Sequence, residues 1–269
     1  MKRLDEIDRY SSFIANTVTD FKDDDTDEIQ YEHILMLDHL LLNDLKPELE
    51  QEAIVSRLPC DVLRKIQSLY VSFETKIEMN IDSIISENPK ITNFIFNGNK
   101  NILMPYFKRY KDLVNREILH LKLKKNDKIL WIGSGPFPVS PIMISKAIGC
   151  QFDCIDVSKS AVYKSQDILE KLDSCNVLVE HHDGKNINVS SYDVIMIAVL
   201  ASPIQEIIDN IQLNAKKGAK VLKRVTYGLR KLIYPTEVFK SADNKIKWDS
   251  TDRARRDQVI SHIIGTVNN

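Results

Sequence analysis

The spacing of apolar residues changes near residue 125 and divides the chain into two halves. Up to about Leu123 the apolar residues recur every three or four positions, which is the period of an amphipathic helix. One such run comprises Val62, Leu63, Ile66, Leu69, Tyr70, Phe73 and Ile77. Breaks with turn or cap composition fall at 23–28, 58–59, 88–89 and 97–99. We therefore predict an all-helical N-terminal region.

From Asp127 onward, short apolar runs alternate with helical patterns. The runs predict strands at 128–132, 152–155, 176–180, 192–198, 220–225 and 259–264. Such alternation is typical of an α/β fold with a mostly parallel sheet and right-handed crossovers. We predict two domains, a helical substrate or cap domain at 1–124 and an α/β domain at 125–269, joined by a short linker at 124–127.

The turn after the first predicted strand contains two glycines, Gly133 and Gly135, and leads into a predicted helix at 139–148. Glycines let the backbone turn tightly and let a ligand approach closely. The next strand ends at Asp156, about 20 residues on, where a carboxylate can accept hydrogen bonds from both hydroxyls of a ribose. This order of elements predicts a site for a nucleoside cofactor.

Dinucleotide enzymes and S-adenosylmethionine enzymes share this layout, so the residues after the second glycine decide between them. These residues are Pro136, Phe137 and Pro138, and the third glycine of G-x-G-x-x-G is missing. Without that glycine, a close helix approach and a seat for a diphosphate at the helix N-terminus are both disfavoured. The sequence therefore favours S-adenosyl-L-methionine, used as a co-substrate, in a Rossmann-like class I S-adenosylmethionine-dependent transferase sheet.

The turns at the carboxyl ends of the predicted strands supply the candidate cofactor-binding residues, because ligands of open α/β sheets bind there. They are Gly133, Ser134, Gly135, Pro136, Phe137, Asp156, Val157, Asp183, Ala198 and Val199. Asp183 is placed to accept a hydrogen bond from the adenine amino group, and a surface turn residue is the alternative. The apolar segment 198–203 lacks the Asp-Pro-Pro-Tyr arrangement that holds an amide or base nitrogen, which argues against a DNA or protein amide methyltransferase.

Charge and composition limit the kinds of binding partner and the cellular compartment that the sequence predicts. The 37 Lys and Arg residues balance 38 Asp and Glu residues, so no overall field would attract nucleic acid or an anionic membrane. The four cysteines form no CxxC pair, and we interpret them as buried thiols in a reducing cytosol. No signal-peptide-like segment and no membrane-spanning run is present in the sequence. We expect a cytoplasmic protein without nucleic-acid or membrane partners, and a homodimer is kept open.

Four sequence blocks resemble the nicotianamine synthase family, including its archaeal and bacterial members. They are YVSFETKIEMN at 70–80, PYFKRYKDLVNREI at 105–118, ILWIGSGPFPVS at 129–140, and YDVIMIAVLASP continuing to VLKRVTYGLRKLIYP at 192–235. The family carries Pro-x-Pro directly after the second glycine, as this chain does at 136–138. Its arginine-bearing strand and the following Gly-x-Arg-x-x-x-Tyr are matched by Arg224, Gly228, Arg230 and Tyr234.

The resemblance implies an S-adenosylmethionine-dependent aminocarboxypropyltransferase of the EC 2.5.1 type. Such an enzyme moves the 3-amino-3-carboxypropyl group to an amine of a small-molecule amino-acid acceptor and releases methylthioadenosine, in biosynthesis of a metallophore or a related metabolite. Any of the three carbons on the sulfonium can be displaced, so the position of the nucleophile decides the product. We expect the helical half to cap the cofactor and to present the amine.

The same resemblance implies the catalytic residues. A Lys-x-Glu-Met block of archaeal members matches 76–79 and implies Glu78 as the general base that takes the ammonium proton. An Arg-Tyr pair matches 109–110 and implies Tyr110 as its hydrogen-bonding partner or as an orienter of the amine. From the residues alone, Glu78 is one helix carboxylate among many, and Glu74, one turn earlier, competes with it.

Candidate substrate-binding residues are Tyr70, Glu74, Tyr106, Phe107, Arg224 and Arg230. Each arginine can clamp a substrate carboxylate in bidentate fashion, with a structural ion pair as the alternative. Core packing is the alternative for the three aromatic residues. The histidines and cysteines show no metal-ligand spacing, so we predict no catalytic metal.

One motif of the chain departs from the family pattern. Where family members commonly have two acidic residues separated by one, this chain has Asp156-Val157-Ser158, which puts the finer cofactor contacts in doubt.

The alternatives to the transfer reaction are cyclisation of S-adenosylmethionine to azetidine-2-carboxylate, a small-molecule methyltransferase, and a catalytically silent cofactor-binding or partner-binding module. The acceptor and the number of transfers are left undetermined by the sequence.

Overall fold

The computed structural model describes residues 2–19, 21–22, 27–42, 46–87, 103–174, 176–240, 245–255 and 258–268. At 2–3, 27–28, 82–87 and 103–107 it describes the backbone alone. Three of the predicted breaks, at 23–28, 88–89 and 97–99, therefore lie wholly or partly outside the described residues, as does Cys175.

The described residues before 124 form helices, as predicted. Their bounds are α1 Lys2–Thr17, α2 Asp27–Leu42, α3 Glu48–Val55, α4 Cys60–Glu87 and α5 Leu103–Leu121. The break predicted at 58–59 is confirmed, because it separates α3 from α4. Along α4 the buried residues Ile66, Tyr70 and Ile81 follow helical spacing, so one face of this helix is apolar.

The rest of the chain forms one sheet with helices between its strands. The strands are β1 Lys128–Ile132, β2 Gln151–Asp156, β3 Val177–His181, β4 Val194–Ile197, β5 Lys220–Val225, β6 Ile246–Asp252 and β7 Ser261–Val267. Their order in the sheet is β3-β2-β1-β4-β5-β7-β6. Adjacent strands among the first five pair in parallel, whereas β6 and β7 pair antiparallel. The helices are α6 Val139–Ile148, α7 Lys159–Lys171 and α8 Ile204–Asn214, with a 3-10 helix at Gly228–Leu232.

The predicted α/β class with a mostly parallel sheet is confirmed, and β1, α6 and β5 have the predicted bounds. Strand β7 begins two residues later than predicted and extends to Val267. Strand β6 was not predicted. Its sequence IKWDSTD is largely polar and largely exposed. Among the described strands β6 is the last of the sheet and pairs on one side only, with β7.

Successive side chains of the central strand β1 alternate between two buried hydrophobic clusters. Ile129 and Trp131 of β1 join one hydrophobic cluster, and Leu130 and Ile132 join the other. The first cluster includes residues of α4, α5 and α6, and the second includes four isoleucines of α8. Helices on both faces are expected of a parallel sheet.

The contacts within the chain divide it into two compact units. Unit 1 comprises Met1–Lys76, Val225–Thr236 and Arg253–Ser261. Unit 2 comprises Ile77–Arg224, Glu237–Asp252 and His262–Asn269. The end of α4 and all of α5 therefore belong to the unit that contains the parallel strands. The predicted domains at 1–124 and 125–269 follow the change of secondary structure instead and stay a prediction.

In the part of the chain that the structure describes, no helix has the length and hydropathy needed to cross a bilayer. Cys150 and Cys154 are buried as predicted, and burial raises the pKa of the Cys150 thiol to about 11. The prediction is wrong for Cys60, which is exposed at the first position of α4.

Candidate functional site

The glycine turn after β1 has the backbone conformation that requires glycine. Gly133 and Gly135 have φ values of +82° and +66°, which side chains disfavour. The N–H groups of Gly133 and Ser134 both donate to the carbonyl oxygen of Ile155, at 2.9 and 3.1 Å. A Cβ atom on Gly133 would lie 3.3 Å from the Cβ atoms of Ala198 and Ala201. The turn is thus fixed between the end of β2 and the segment after β4.

Asp156 holds the turn after β2 against this glycine turn. Its Oδ2 accepts from the N–H of Gly135 and its Oδ1 from the N–H of Ser158, each at 2.9 Å. The N–H of His182 donates to the Asp156 carbonyl oxygen at 3.1 Å, which adds the turn after β3. Each carboxylate oxygen keeps a second lone pair, so Asp156 can still accept from ribose hydroxyls. Val157 beside it is an exposed apolar side chain.

Glu78 of α4 approaches the glycine turn in unit 2. A Cβ atom on Gly135 would lie 3.3 Å from Glu78 Oε2, closer than ordinary van der Waals contact. The carboxylate that the family resemblance implies as the general base therefore lies beside the turn that the sequence assigned to the cofactor. Any side chain at residue 135 would compete with Glu78 for this space.

Tyr110 of α5 lies near the buried guanidinium of Arg224 at the end of β5. The Arg224 Cζ atom is 6.0 Å from the centroid of the Tyr110 ring and 4.5 Å from that of Trp131. Arg224 and Glu117 are both almost fully buried and form a bidentate pair, with N···O distances of 2.8 and 2.9 Å. Arg224 also donates to Ser140 Oγ at 2.8 Å.

Arg224 and Glu117 therefore form a structural ion pair, which the sequence analysis gave as the alternative to a substrate clamp at Arg224. A substrate carboxylate that bound the Nε and Nη2 edge of Arg224 would have to compete with Glu117 for these two donors. Because breaking a buried pair leaves an uncompensated charge, that exchange is unfavourable. The structure therefore explains the burial of Arg224 without a substrate, and its predicted substrate role stays a prediction.

Lys223, next to Arg224 in β5, was missed by the sequence analysis. Its Nζ donates to the carbonyl oxygens of Ala198 and Val199, at 2.6 and 3.3 Å. The pKa of Lys223 is lowered to about 7, mainly by burial, which Glu237 opposes and the nearby Arg224 charge reinforces. Two consecutive charged residues inside a predicted strand were a signal that could have identified it, because charged side chains are seldom fully buried unless paired.

Glu237 binds the segment after β4 a few residues further along the chain. This carboxylate accepts from Ser202 Oγ at 2.5 Å and from the N–H of Ile204 at 2.9 Å. These hydrogen bonds lower the pKa of Glu237. The main cause is the bond from the Ile204 N–H, at the start of α8. The segment that begins with the predicted cofactor residues Ala198 and Val199 is therefore held by Lys223 at its start and by Glu237 at Ser202 and Ile204.

Asp183, in the turn after β3, is an ionised acceptor. The N–H of Lys185 donates to its Oδ1 at 3.0 Å, and the Lys185 ammonium lies 3.3 Å from Oδ2. The backbone hydrogen bond is the main cause that lowers the pKa of Asp183. These contacts are those of a turn residue, and a hydrogen bond from adenine to Asp183 stays a prediction.

Three of the predicted substrate-binding residues lie in unit 1, with partners of their own. The Tyr234 hydroxyl donates to Glu74, with 2.5 Å to each carboxylate oxygen. The buried Tyr70 donates to Asp38 at 2.8 Å. Arg230 donates from Nε to the Gln258 carbonyl oxygen at 2.6 Å. The side chains of Tyr106 and Phe107 lie outside the described residues, and the substrate roles of all five stay predictions.

The chain is similar to known proteins in both sequence and structure. A family model described as nicotianamine synthase protein matches residues 51–265. Nicotianamine synthase 2 of Arabidopsis thaliana is 24% identical over 150 residues, covering 49% of this chain and 46% of that protein. The match thus spans less than half the length of this curated relative.

Two solved structures cover nearly the whole chain. MtNAS in complex with MTA and tNA has a TM-score of 0.81 at 18% identity, over 99% of this chain and 98% of that chain. A glutamate-to-glutamine mutant of MtNAS in complex with S-adenosylmethionine has a TM-score of 0.76 at 17% identity, over 98% of each chain. They confirm the predicted fold. Because the family model covers residues 51–265, this chain belongs to the nicotianamine synthase family.

Proposed function

We propose that this protein transfers the 3-amino-3-carboxypropyl group of S-adenosyl-L-methionine to the amine of a small-molecule acceptor and releases methylthioadenosine. Membership of the nicotianamine synthase family supports this reaction. The observation that carries the proposal is the 3.3 Å between Glu78 Oε2 and the Cβ position of Gly135. It brings a basic group to the turn that binds the nucleoside part of such cofactors.

S-adenosylmethionine fits this turn better than a dinucleotide does. The residues after Gly135 lack the third glycine that favours a diphosphate at the helix N-terminus. Asp156 keeps lone pairs for the two ribose hydroxyls while it holds Gly135. The complexes of MtNAS with S-adenosylmethionine and with MTA support the same cofactor class.

The proposed reaction is an in-line displacement at the γ-carbon of the methionine arm. The acceptor nitrogen forms a bond to this carbon, and the carbon–sulfur bond breaks with its electron pair going to sulfur. The sulfonium becomes the neutral thioether of methylthioadenosine. Alignment of the nitrogen, the carbon and the sulfur selects this carbon over the methyl group.

Glu78 is proposed to take the proton that the acceptor amine must lose. An α-amine is mostly ammonium at neutral pH, and each unit by which its pKa exceeds the pH costs about 1.4 kcal/mol in nucleophile population. A positioned carboxylate contributes roughly 10²- to 10⁴-fold as a general base. Tyr110, whose ring lies by the Arg224 guanidinium, is proposed to orient Glu78 or the amine.

The finer part of the proposal concerns the acceptor. We infer an amino acid, in biosynthesis of a metallophore or a related metabolite, by analogy with the family. Cyclisation of the cofactor to azetidine-2-carboxylate needs the same exposed γ-carbon and the same base. A small-molecule methyltransferase would instead leave S-adenosylhomocysteine.

Product analysis by mass spectrometry tests these alternatives together. The purified chain is incubated with S-adenosylmethionine alone and with a panel of amino acids, and the nucleoside product is quantified. Methylthioadenosine that depends on one acceptor is the expected result. Methylthioadenosine with azetidine-2-carboxylate and no acceptor would indicate cyclisation. S-adenosylhomocysteine as the nucleoside product would overturn the proposed transfer.

A further inference from the structure

Three potential metal ligands from three elements meet in unit 2. His120 comes from the last turn of α5, Asp252 from the end of β6, and His262 from the start of β7. The antiparallel register of β6 and β7 places Asp252 directly opposite His262. One ligand atom of each side chain lies within 4.8 Å of the other two. The histidines are 142 residues apart in sequence, so reasoning from motif spacing missed this set.

The distances fit an ion better than they fit direct hydrogen bonds to the carboxylate. Asp252 Oδ2 is 4.0 Å from His120 Nδ1 and 3.9 Å from His262 Nδ1. Both separations exceed a hydrogen bond. Two atoms that each lie about 2.0–2.2 Å from one ion are at most about 4.4 Å apart, so both separations suit ligands of a shared ion.

The burial of His262 provides a second, independent observation. Its side chain is 1% exposed, and among the described residues its Nδ1 has no hydrogen-bond partner. A buried polar atom without a partner is unfavourable. This nitrogen is the atom that faces Asp252 across the 3.9 Å gap. His120 is 43% exposed, which leaves one side open for an ion to enter.

We propose that His120, Asp252 and His262 form a binding site for one divalent ion of the zinc, cobalt or nickel class. Two imidazoles and one carboxylate suit these ions, and a water completes the coordination. Binding would exchange the 2.9 Å hydrogen bond between His120 Nδ1 and His262 Nε2 for bonds to the ion.

Arg116 sets the expected strength of this site. Its Nη1 donates to Asp252 Oδ2, which orients the carboxylate as groups behind a metal ligand commonly do. Its positive charge also repels a cation at the same oxygen. The ion is therefore expected to exchange with solution rather than to be a permanent part of the fold.

This inference is independent of the proposed transfer reaction. His120 lies ten residues after Tyr110, which is about 15 Å along the same helix. The ion would join the end of α5 to the β6–β7 pair. The prediction that no metal takes part in catalysis is therefore unaffected.

Cobalt titration of the full chain tests the site. After dialysis against a chelator, Co²⁺ is added while visible absorption is recorded, and Zn²⁺ is then added as a competitor. Saturation at one Co²⁺ per chain, reversed by Zn²⁺ and unaffected by Mg²⁺, is expected. A rise in melting temperature with Zn²⁺ should accompany it, because a ligand that binds the folded state stabilises it. Absence of saturable Co²⁺ absorption would overturn the proposal.

Two variants and a matched control identify the ligands. His120→Ala and Asp252→Asn should each weaken Co²⁺ binding at least tenfold, whereas His39→Ala, in α2, should bind as the original chain does. Far-UV circular dichroism verifies that both variants are folded, and Asp252→Asn preserves the size of the side chain. Equal Co²⁺ affinity in all four proteins would show that other groups bind the ion.

Discussion

The two compact units each contain a glutamate of α4, and the two carboxylates have different neighbours. In unit 1, both oxygens of Glu74 lie 2.5 Å from the Tyr234 hydroxyl. In unit 2, Glu78 Oε2 approaches the backbone at Gly135, where the side chain is absent. The two residues are one helical turn apart and chemically identical. The comparison shows that two carboxylates one turn apart on the same helix have different surroundings, which is the difference that variants of each can test.

Glu78→Gln gives the strongest test of this difference. Loss of the proposed base should lower kcat by roughly 10²- to 10⁴-fold. Glutamine retains the size of the side chain, so S-adenosylmethionine should still bind with its original affinity. Methylthioadenosine release and calorimetric binding measure the two effects separately.

Glu74→Gln is the matched variant for that measurement. Its amide oxygen can still accept from Tyr234, so kcat should fall less than tenfold, with any larger effect on KM. If Glu74→Gln abolishes turnover and Glu78→Gln does not, the assignments of the two carboxylates are reversed.

Glu117→Gln examines the buried pair beneath Tyr110 in unit 2. The variant leaves Arg224 buried and charged without its carboxylate, so the free energy of unfolding should fall by about 3–5 kcal/mol. Urea denaturation measures this loss. Adding Arg224→Met should recover part of it, because the unpaired charge is then removed. A single variant as stable as the original chain would show that the pair is dispensable.

Tyr234→Phe tests the role of Glu74 by removing the hydroxyl that donates to it. It removes a hydrogen bond to a charged group and should cost about 1.5–3 kcal/mol of the free energy of unfolding. Tyr163→Phe is the control, since Tyr163 is exposed and the same change there should have little effect. Equal unfolding midpoints in urea for the two variants would contradict a structural role for Glu74.

Lys223 predicts a pH dependence that belongs to unit 2. The pKa of Lys223 is lowered from 10.5 to about 7, so between these values only the unfolded chain holds the proton. The free energy of unfolding should therefore rise with pH across this window, by at most about 1.4 kcal/mol per pH unit. Lys223→Met should lack this contribution.

The difference between the two proteins, measured by urea denaturation at pH 7, 8, 9 and 10, isolates the lysine from the thiols that also titrate there. A difference that stays constant over the series would mean that Lys223 keeps an ordinary pKa.

The sequence predicted best those elements that depend on local pattern. Strands β1 and β5 and helix α6 have the predicted bounds, because apolar runs and the glycine turn mark their ends. Strand β6 was missed, because an edge strand with polar residues such as Asp249 and Ser250 lacks an apolar run. Its existence depends on pairing with β7, which only the folded chain provides.

The candidate site shows the same division. The glycine turn and Asp156 follow from the order of elements, whereas Glu78 was reached through the family resemblance alone. Glu117 was missed because its buried charge is recognisable only from its partner Arg224, which is distant in sequence. For Lys223 the sequence did contain a signal, two consecutive charged residues inside a predicted strand. The cluster of His120, Asp252 and His262 depends on strand register and could not be found from spacing.

The close approach at Gly133 makes three positions of the chain interdependent. A Cβ atom there would lie 3.3 Å from the methyl carbons of both Ala198 and Ala201. Shrinking one alanine alone would leave the other in the way. Because the positive φ at Gly133 also disfavours a side chain, even shrinking both alanines would not readily admit one, so this glycine turn is hard to remodel by substitution.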